Sequence, residues 1–93
     1  MTRNFILTYD LNGPRPSHAE MDRHIAAFAA EYGRILETVW YIRSSATLQQ
    51  VYDYMNSKLS LNDRIMVIEA RNAHVRNLLV PTENLQEAWA KAA

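Results

Sequence analysis

Ile35–Arg43 reads ILETVWYIR, and how this stretch is divided decides the fold. Val39, Trp40, Tyr41 and Ile42 are strong strand formers. Taken whole, the stretch is one strand. Bent near Glu37, it is two short antiparallel strands. Outward from it, the flanking segments are helices. Ser17-His18-Ala19-Glu20 matches a capping box, with a hydroxyl at the cap and a carboxylate three residues on. Met21, Ile25, Phe28, Ala29 and Tyr32 follow at helical spacing, and Gly33 reads as a left-handed stop. On the other side, Thr47-Leu48-Gln49-Gln50 is the Thr/Gln form of the same box. Leu48, Val51, Tyr52, Met55 and Leu59 form the apolar face of that second helix.

Further out, Asn4–Leu11 is an apolar strand rich in β-branched and aromatic residues, ended by the turn Asn12-Gly13-Pro14. Arg64–Ala70 (RIMVIEA) is another, entered from Asn62-Asp63. The order is therefore β-α-β-α-β, or β-α-β-β-α-β if Ile35–Arg43 is split. A flavodoxin-like parallel sheet is disfavoured, because three strands are too few and no glycine-rich phosphate loop is present. The preferred class is α+β: a ferredoxin-like split β-α-β sandwich, an antiparallel sheet with two helices on one face. At the C-terminal end, Asn77–Val80 reads as a short edge strand. Pro81-Thr82 opens a last helix with Leu85, Ala88 and Trp89 on one face, and Ala90–Ala93 is expected to fray.

Both faces of the strands carry apolar residues. Ile6 and Thr8 alternate with Phe5, Leu7 and Tyr9, and Ile65 and Val67 with Met66 and Ile68. With helices on one face only, the second face needs a cover. A homodimer packed sheet to sheet supplies one. The alternative is the chain's own C-terminal segment, with Leu78, Leu79, Leu85 and Trp89.

Composition limits the function. The 93 residues are 48% hydrophobic and 22% charged, an ordinary globular make-up that suits a single domain over 1–93. Ten basic and ten acidic residues cancel, so the chain is not basic as a whole, although a local patch can still bind nucleic acid. Without cysteine there is no disulfide, thiol catalysis or Cys-ligated zinc. No apolar run approaches a membrane span, and the N-terminus lacks a signal-peptide pattern, so a soluble cytoplasmic protein is expected, with no membrane partner. A core this small makes dimerisation a reasonable expectation. No Gly-x-Ser-x-Gly, phosphate-loop or His-Glu-x-x-His motif occurs.

The most singular carboxylate is Asp10, at the end of the first strand and directly after Tyr9. Aspartate is disfavoured in strands. It can hold a hard cation such as magnesium and orient a water, or simply bond the backbone of the Asn12-Gly13 turn. The antiparallel topology brings Asp63 to the same end, with Glu37 or Thr38. His18 and His24 lie six apart, off the usual metal spacing, and both read as solvated, as does His74 in its loop. Arg71, His74 and Arg76 fall in a stretch, Arg71–Val80, without an acidic residue, while Arg15 and Arg64 are expected near Asp10. Arginine forks suit phosphates, so these four are the candidate nucleic-acid contacts; the alternative is a solvated surface balanced by the acids.

Phe5-Ile6-Leu7-Thr8-Tyr9-Asp10-Leu11 resembles the hydrophobic-Tyr-Asp first strand of the small CRISPR-associated Cas-two proteins. Thr38-Val39-Trp40 resembles their Ser-Val-Phe strand, and Asn62-Asp63 with Ile65–Ile68 their last core strand. The chain is closer still to short bacterial Cas-two-like proteins labelled SinR-like, which share Tyr-Asp-Leu, Glu-Ser/Thr-x-Trp and Asn-Asp-Arg/Lys. The likeness spans about residues 4–70. It implies a ferredoxin-like fold, a sheet-to-sheet homodimer, and a magnesium position and catalytic role for Asp10 of each subunit. It further implies binding of DNA or RNA, with metal-dependent endonuclease activity in some members. A first helix opening on Pro14-Arg15-Pro16, Glu20 and Asp22 departs from the arginine cluster often found there. The alternative function is a non-catalytic dimeric module that binds a protein partner or regulates one.

Overall fold

A computed structural model describes residues 2–92. The elements run β1 (Arg3–Asp10), α1 (His18–Phe28), β2 (Glu31–Leu36), β3 (Val39–Ser44), α2 (Leu48–Asn56), β4 (Arg64–Ala70) and α3 (Thr82–Ala90). Ile35–Arg43 is indeed divided: a turn at Glu37-Thr38 joins β2 to β3. The sheet order is β2-β3-β1-β4, with every neighbouring pair antiparallel. This is the ferredoxin-like arrangement, in which β1-α1-β2 and β3-α2-β4 interlock.

Strand alternation sorts the sheet into two faces. Phe5, Leu7, Tyr9, Trp40 and Ile42 point to α1 and α2, where Met21, Ile25, Val51 and Met55 complete the main core. Both helices start as their capping boxes require. Ser17 accepts from the Glu20 N–H and Thr47 from the Gln50 N–H, and each third-position side chain accepts in return from the cap residue's own N–H. Arg34 on β2 ties down α1 with a two-pronged hydrogen bond to Asp22 (2.9 and 3.1 Å), its guanidinium 5.3 Å from the Trp40 ring centre.

The opposite face holds a second, smaller core. Ile35 and Tyr41 on the sheet meet Leu85 and Ala88 of α3, with Ile6, Val39, Val75, Leu78, Val80 and Trp89 around them. The C-terminal segment therefore covers the β2–β3 half of this face within one chain. A buried relay fastens it. The Tyr41 hydroxyl donates to Asn4 Oδ1 (2.6 Å), and Asn4 Nδ2 donates to the Trp89 carbonyl (3.1 Å).

Four local expectations are corrected. Gly33 does not end α1. The helix closes at Ala29, whose N–H bonds to the Ile25 carbonyl, and the Ala30 N–H already reaches Arg43 in the sheet. Gly33 and Tyr32 lie in β2, where the missing Cβ admits Val80; a Cβ there would stand 3.3 Å from its Cγ1. Asn77–Val80 is not a regular strand. Asn77 takes a left-handed φ of 53°, which breaks extension, and a single bond from the Leu79 N–H to the Ile35 carbonyl remains. Leu48 and Tyr52 face solvent rather than the core, because Val51 and Met55, flanked by Tyr54 and Leu59, fill the space under α2. His24 is not a solvated polar-side residue. It stacks on Tyr54 at 3.9 Å, its Nε2 lies 2.7 Å from the Tyr54 carbonyl, and the Tyr54 hydroxyl donates back to the His24 carbonyl, clasping α1 to α2. Of the expected frayed end, Lys91 bonds to Glu31 (2.8 Å), while Ala93 lies outside the described residues.

Candidate functional site

Asp10 is the last residue of β1 and lies opposite Arg64, the first of β4. Both side chains are mostly exposed, and Arg64 Nη1 stands 3.9 Å from Asp10 Oδ2. Asp10 has even parity on β1, so it shares the second face with Thr8, Met66 and Ile68. The C-terminal segment stops short of this edge. Met66 is 55% exposed and Ile68 43% exposed. The result is a bare strip along β1 and β4: apolar at Met66 and Ile68, charged at Asp10 and Arg64. A shallow depression of about 210 Å³ runs between Thr8, Asp10, Arg64 and Met66.

The other expected acids behave differently. Asp63 does come to this end, as the antiparallel register requires, but its carboxylate is committed to the turns. It accepts from the backbone N–H of Asn12 (2.7 Å) and Ser60 (2.8 Å) and from the Ser60 hydroxyl (2.9 Å). These donors stabilise the charged form and hold its pKa below the ordinary value, the Ser60 N–H most of all. It thus locks the β1–α1 loop to the α2–β4 turn. The Glu37-Thr38 turn also lies at this end, since Thr8 pairs with Val39.

Among the described residues no group of three or more His, Cys, Asp or Glu side chains is placed to hold a metal ion. In one chain, a lone carboxylate with a guanidinium 3.9 Å away is a poor magnesium site. Magnesium is usually held by one or two carboxylates, with water and phosphate completing its shell. One chain brings a single free carboxylate to this end, with Arg64 beside it.

The four candidate arginines form two groups. Arg15, exposed in the β1–α1 loop, bonds to Glu20 (3.1 Å), and Arg64 is at the Asp10 end. Arg71 follows β4 at the other end, about 23 Å from Arg64 by strand rise, with Arg76 in the exposed loop beyond. Of the ten basic residues, Arg3, Arg15, Arg34, Arg43, Arg64 and Lys91 sit within 4 Å of a carboxylate. Neither Arg71 nor Arg76 forms an ion pair among the described residues.

Sequence reasoning did not find the cavity beside Arg71. The loop after β4 and α3 border an open cleft of about 330 Å³, lined by Asn72, His74, Val75, Leu85, Gln86 and Trp89. Its one visible signal was the acid-free stretch Arg71–Val80 ahead of an amphipathic helix.

Fold and strip together define a ferredoxin-like α+β domain with a third, C-terminal layer over half of its second sheet face. No family model, curated protein or solved structure matches the chain.

Proposed function

We propose that this chain works in the cytoplasm as a Cas-two-like homodimer that binds nucleic acid, its subunits meeting through the bare strip of β1 and β4. The observation that carries this reading is the sharing of one uncovered surface by Met66 and Ile68 with the exposed carboxylate of Asp10. A second copy docked on that strip buries the apolar pair and brings two Asp10 side chains toward a common axis. Those two carboxylates are the residues that would hold magnesium. The ion would supply charge stabilisation at a phosphate and a more acidic water. Arg15 and Arg64 would contact the backbone at that end, and Arg71 and Arg76 further along.

The test is magnesium-dependent cleavage and low-salt retention of labelled DNA and RNA, wild type against Asp10→Ala, with the dimer checked in parallel. The reading predicts retention by both proteins and cleavage by the wild type alone. Equal cleavage by the variant would place the activity elsewhere or in a contaminant.

A second reading, a non-catalytic module that docks or regulates a protein, is favoured by the charge pairing. Arg64 already answers Asp10, and most basic side chains already face carboxylates. A dimer that retains no nucleic acid at low salt would select it.

A further inference from the structure

Two adjoining cavities at the end of the sheet opposite Asp10 form a site of their own. The first is the 330 Å³ space under α3, within the size range of small-molecule pockets. Val75, Leu85 and Trp89 give it an apolar lining, and Asn72, His74 and Gln86 bring polar groups to it. Those three residues are exposed at its open side and, among the described residues, their side chains have no hydrogen-bond partner in the chain, so they meet solvent or a ligand. The second cavity, about 500 Å³ and shared at Trp89, is lined by Arg3, Asn4, Glu69 and Arg71. It holds two guanidinium groups against one carboxylate, and only Arg3 is near that carboxylate, at 3.8 Å. Trp89 is fixed between the cavities. Its Nε1 donates to the Arg71 carbonyl (2.7 Å), and its ring stacks on Tyr41 with centres 5.6 Å apart.

An apolar, aromatic slot with free amides beside an arginine-lined recess suits a planar, hydrogen-bonding group joined to an anion. Side-chain amides of Asn and Gln match the adjacent donor and acceptor of adenine, aromatic side chains offer a stacking face, and arginine takes the phosphate. We infer that this C-terminal cavity binds adenosine monophosphate, base toward Gln86 and Asn72 and phosphate toward Arg71, either free or as the 5′ end of a strand. The inference stands on the cavity and does not rest on the Asp10 strip.

The probe is 5′-AMP titrated into the full chain and followed by amide chemical shifts and calorimetry. Adenosine, CMP, inorganic phosphate and a short 5′-phosphorylated oligoadenylate serve as comparators. Saturable shifts confined to 69–75, α3 and the start of β1 are expected, with affinity reduced at least tenfold in Arg71→Ala, in Gln86→Ala and for CMP. Tighter binding of the oligomer than of AMP identifies a strand end, and the reverse a free nucleotide; both support the site. It is overturned if AMP at millimolar concentration leaves those resonances unmoved, if Arg71→Ala binds as well as wild type, or if phosphate alone competes as well as AMP. Absent AMP binding in a dimer that still retains nucleic acid would remove this inference and leave the Asp10 reading standing.

Discussion

Tyr41→Phe tests how the C-terminal layer is fastened to the sheet. Tyr41 is 2% exposed and Asn4 5% exposed, so the bond between them is made out of water. Phenylalanine keeps the ring and its stacking on Trp89 but deletes the donor to Asn4 Oδ1, leaving a buried acceptor unpartnered. Such a group costs about 1–3 kcal/mol. For a domain of this size each kcal/mol moves the melting temperature by about 4–8 °C, so a cost of about 2 kcal/mol lowers Tm by about 8–16 °C. Urea unfolding followed by circular dichroism measures the cost, with an unchanged slope showing that unfolding is still cooperative. Hydrogen exchange should speed up first in α3. The double variant Asn4→Leu/Tyr41→Phe removes both members of the pair and should lose less than the two single changes added together. An unchanged midpoint in Tyr41→Phe, or strictly additive losses in the double variant, would refute the relay. The same burial pushes the Tyr41 phenol above its ordinary value, up to about 12. The native state therefore holds that proton longer than the unfolded chain. Stability from this group is complete below pH 10 and declines as pH rises toward about 12, a decline that Tyr41→Phe should lack.

Tyr54→Phe deletes the hydroxyl that donates to the His24 carbonyl at 2.7 Å, and should cost about 1 kcal/mol in the same urea assay while sparing α3 from faster exchange. On the acid side, Glu20 is lowered to about 2, first by the Ser17 backbone N–H and then by Arg15, and Asp63 is lowered by the Ser60 and Asn12 N–H groups. Depressed carboxylates stabilise the fold above their unfolded pKa and lose that effect as pH falls through the folded value. Asp63→Asn should therefore trail wild type at neutral pH, with the gap closing as pH falls below the ordinary aspartate range.

Local chemistry made much of the fold legible. The two capping boxes and the apolar strand runs Asn4–Leu11 and Arg64–Ala70 each had a direct physical signature, whereas the turn that divides Ile35–Arg43 had none and was favoured only because a ferredoxin-like sheet needs a fourth strand. That sheet then put Asp10 opposite Arg64 and drew in Asp63, as the antiparallel register demands. What stayed hidden depended on partners distant in sequence. Gly33 looked like a helix stop because its actual constraint, the approach of Val80, comes from a segment more than forty residues later. His24 looked solvated because Tyr54 belongs to another helix. The division of the second face, half covered by α3 and half bare, also lay beyond periodicity, since Leu85 and Met66 carry the same kind of signal.

The most direct measurement is sedimentation of the full chain beside Met66→Asp and Ile68→Asp, at concentrations up to the solubility limit. The wild type should sediment at twice the 10.8 kDa of the chain, and both variants as folded single-chain particles. A wild type that sediments as one chain throughout, or a dimer that both aspartates leave intact, would contradict assembly through the bare strip of β1 and β4.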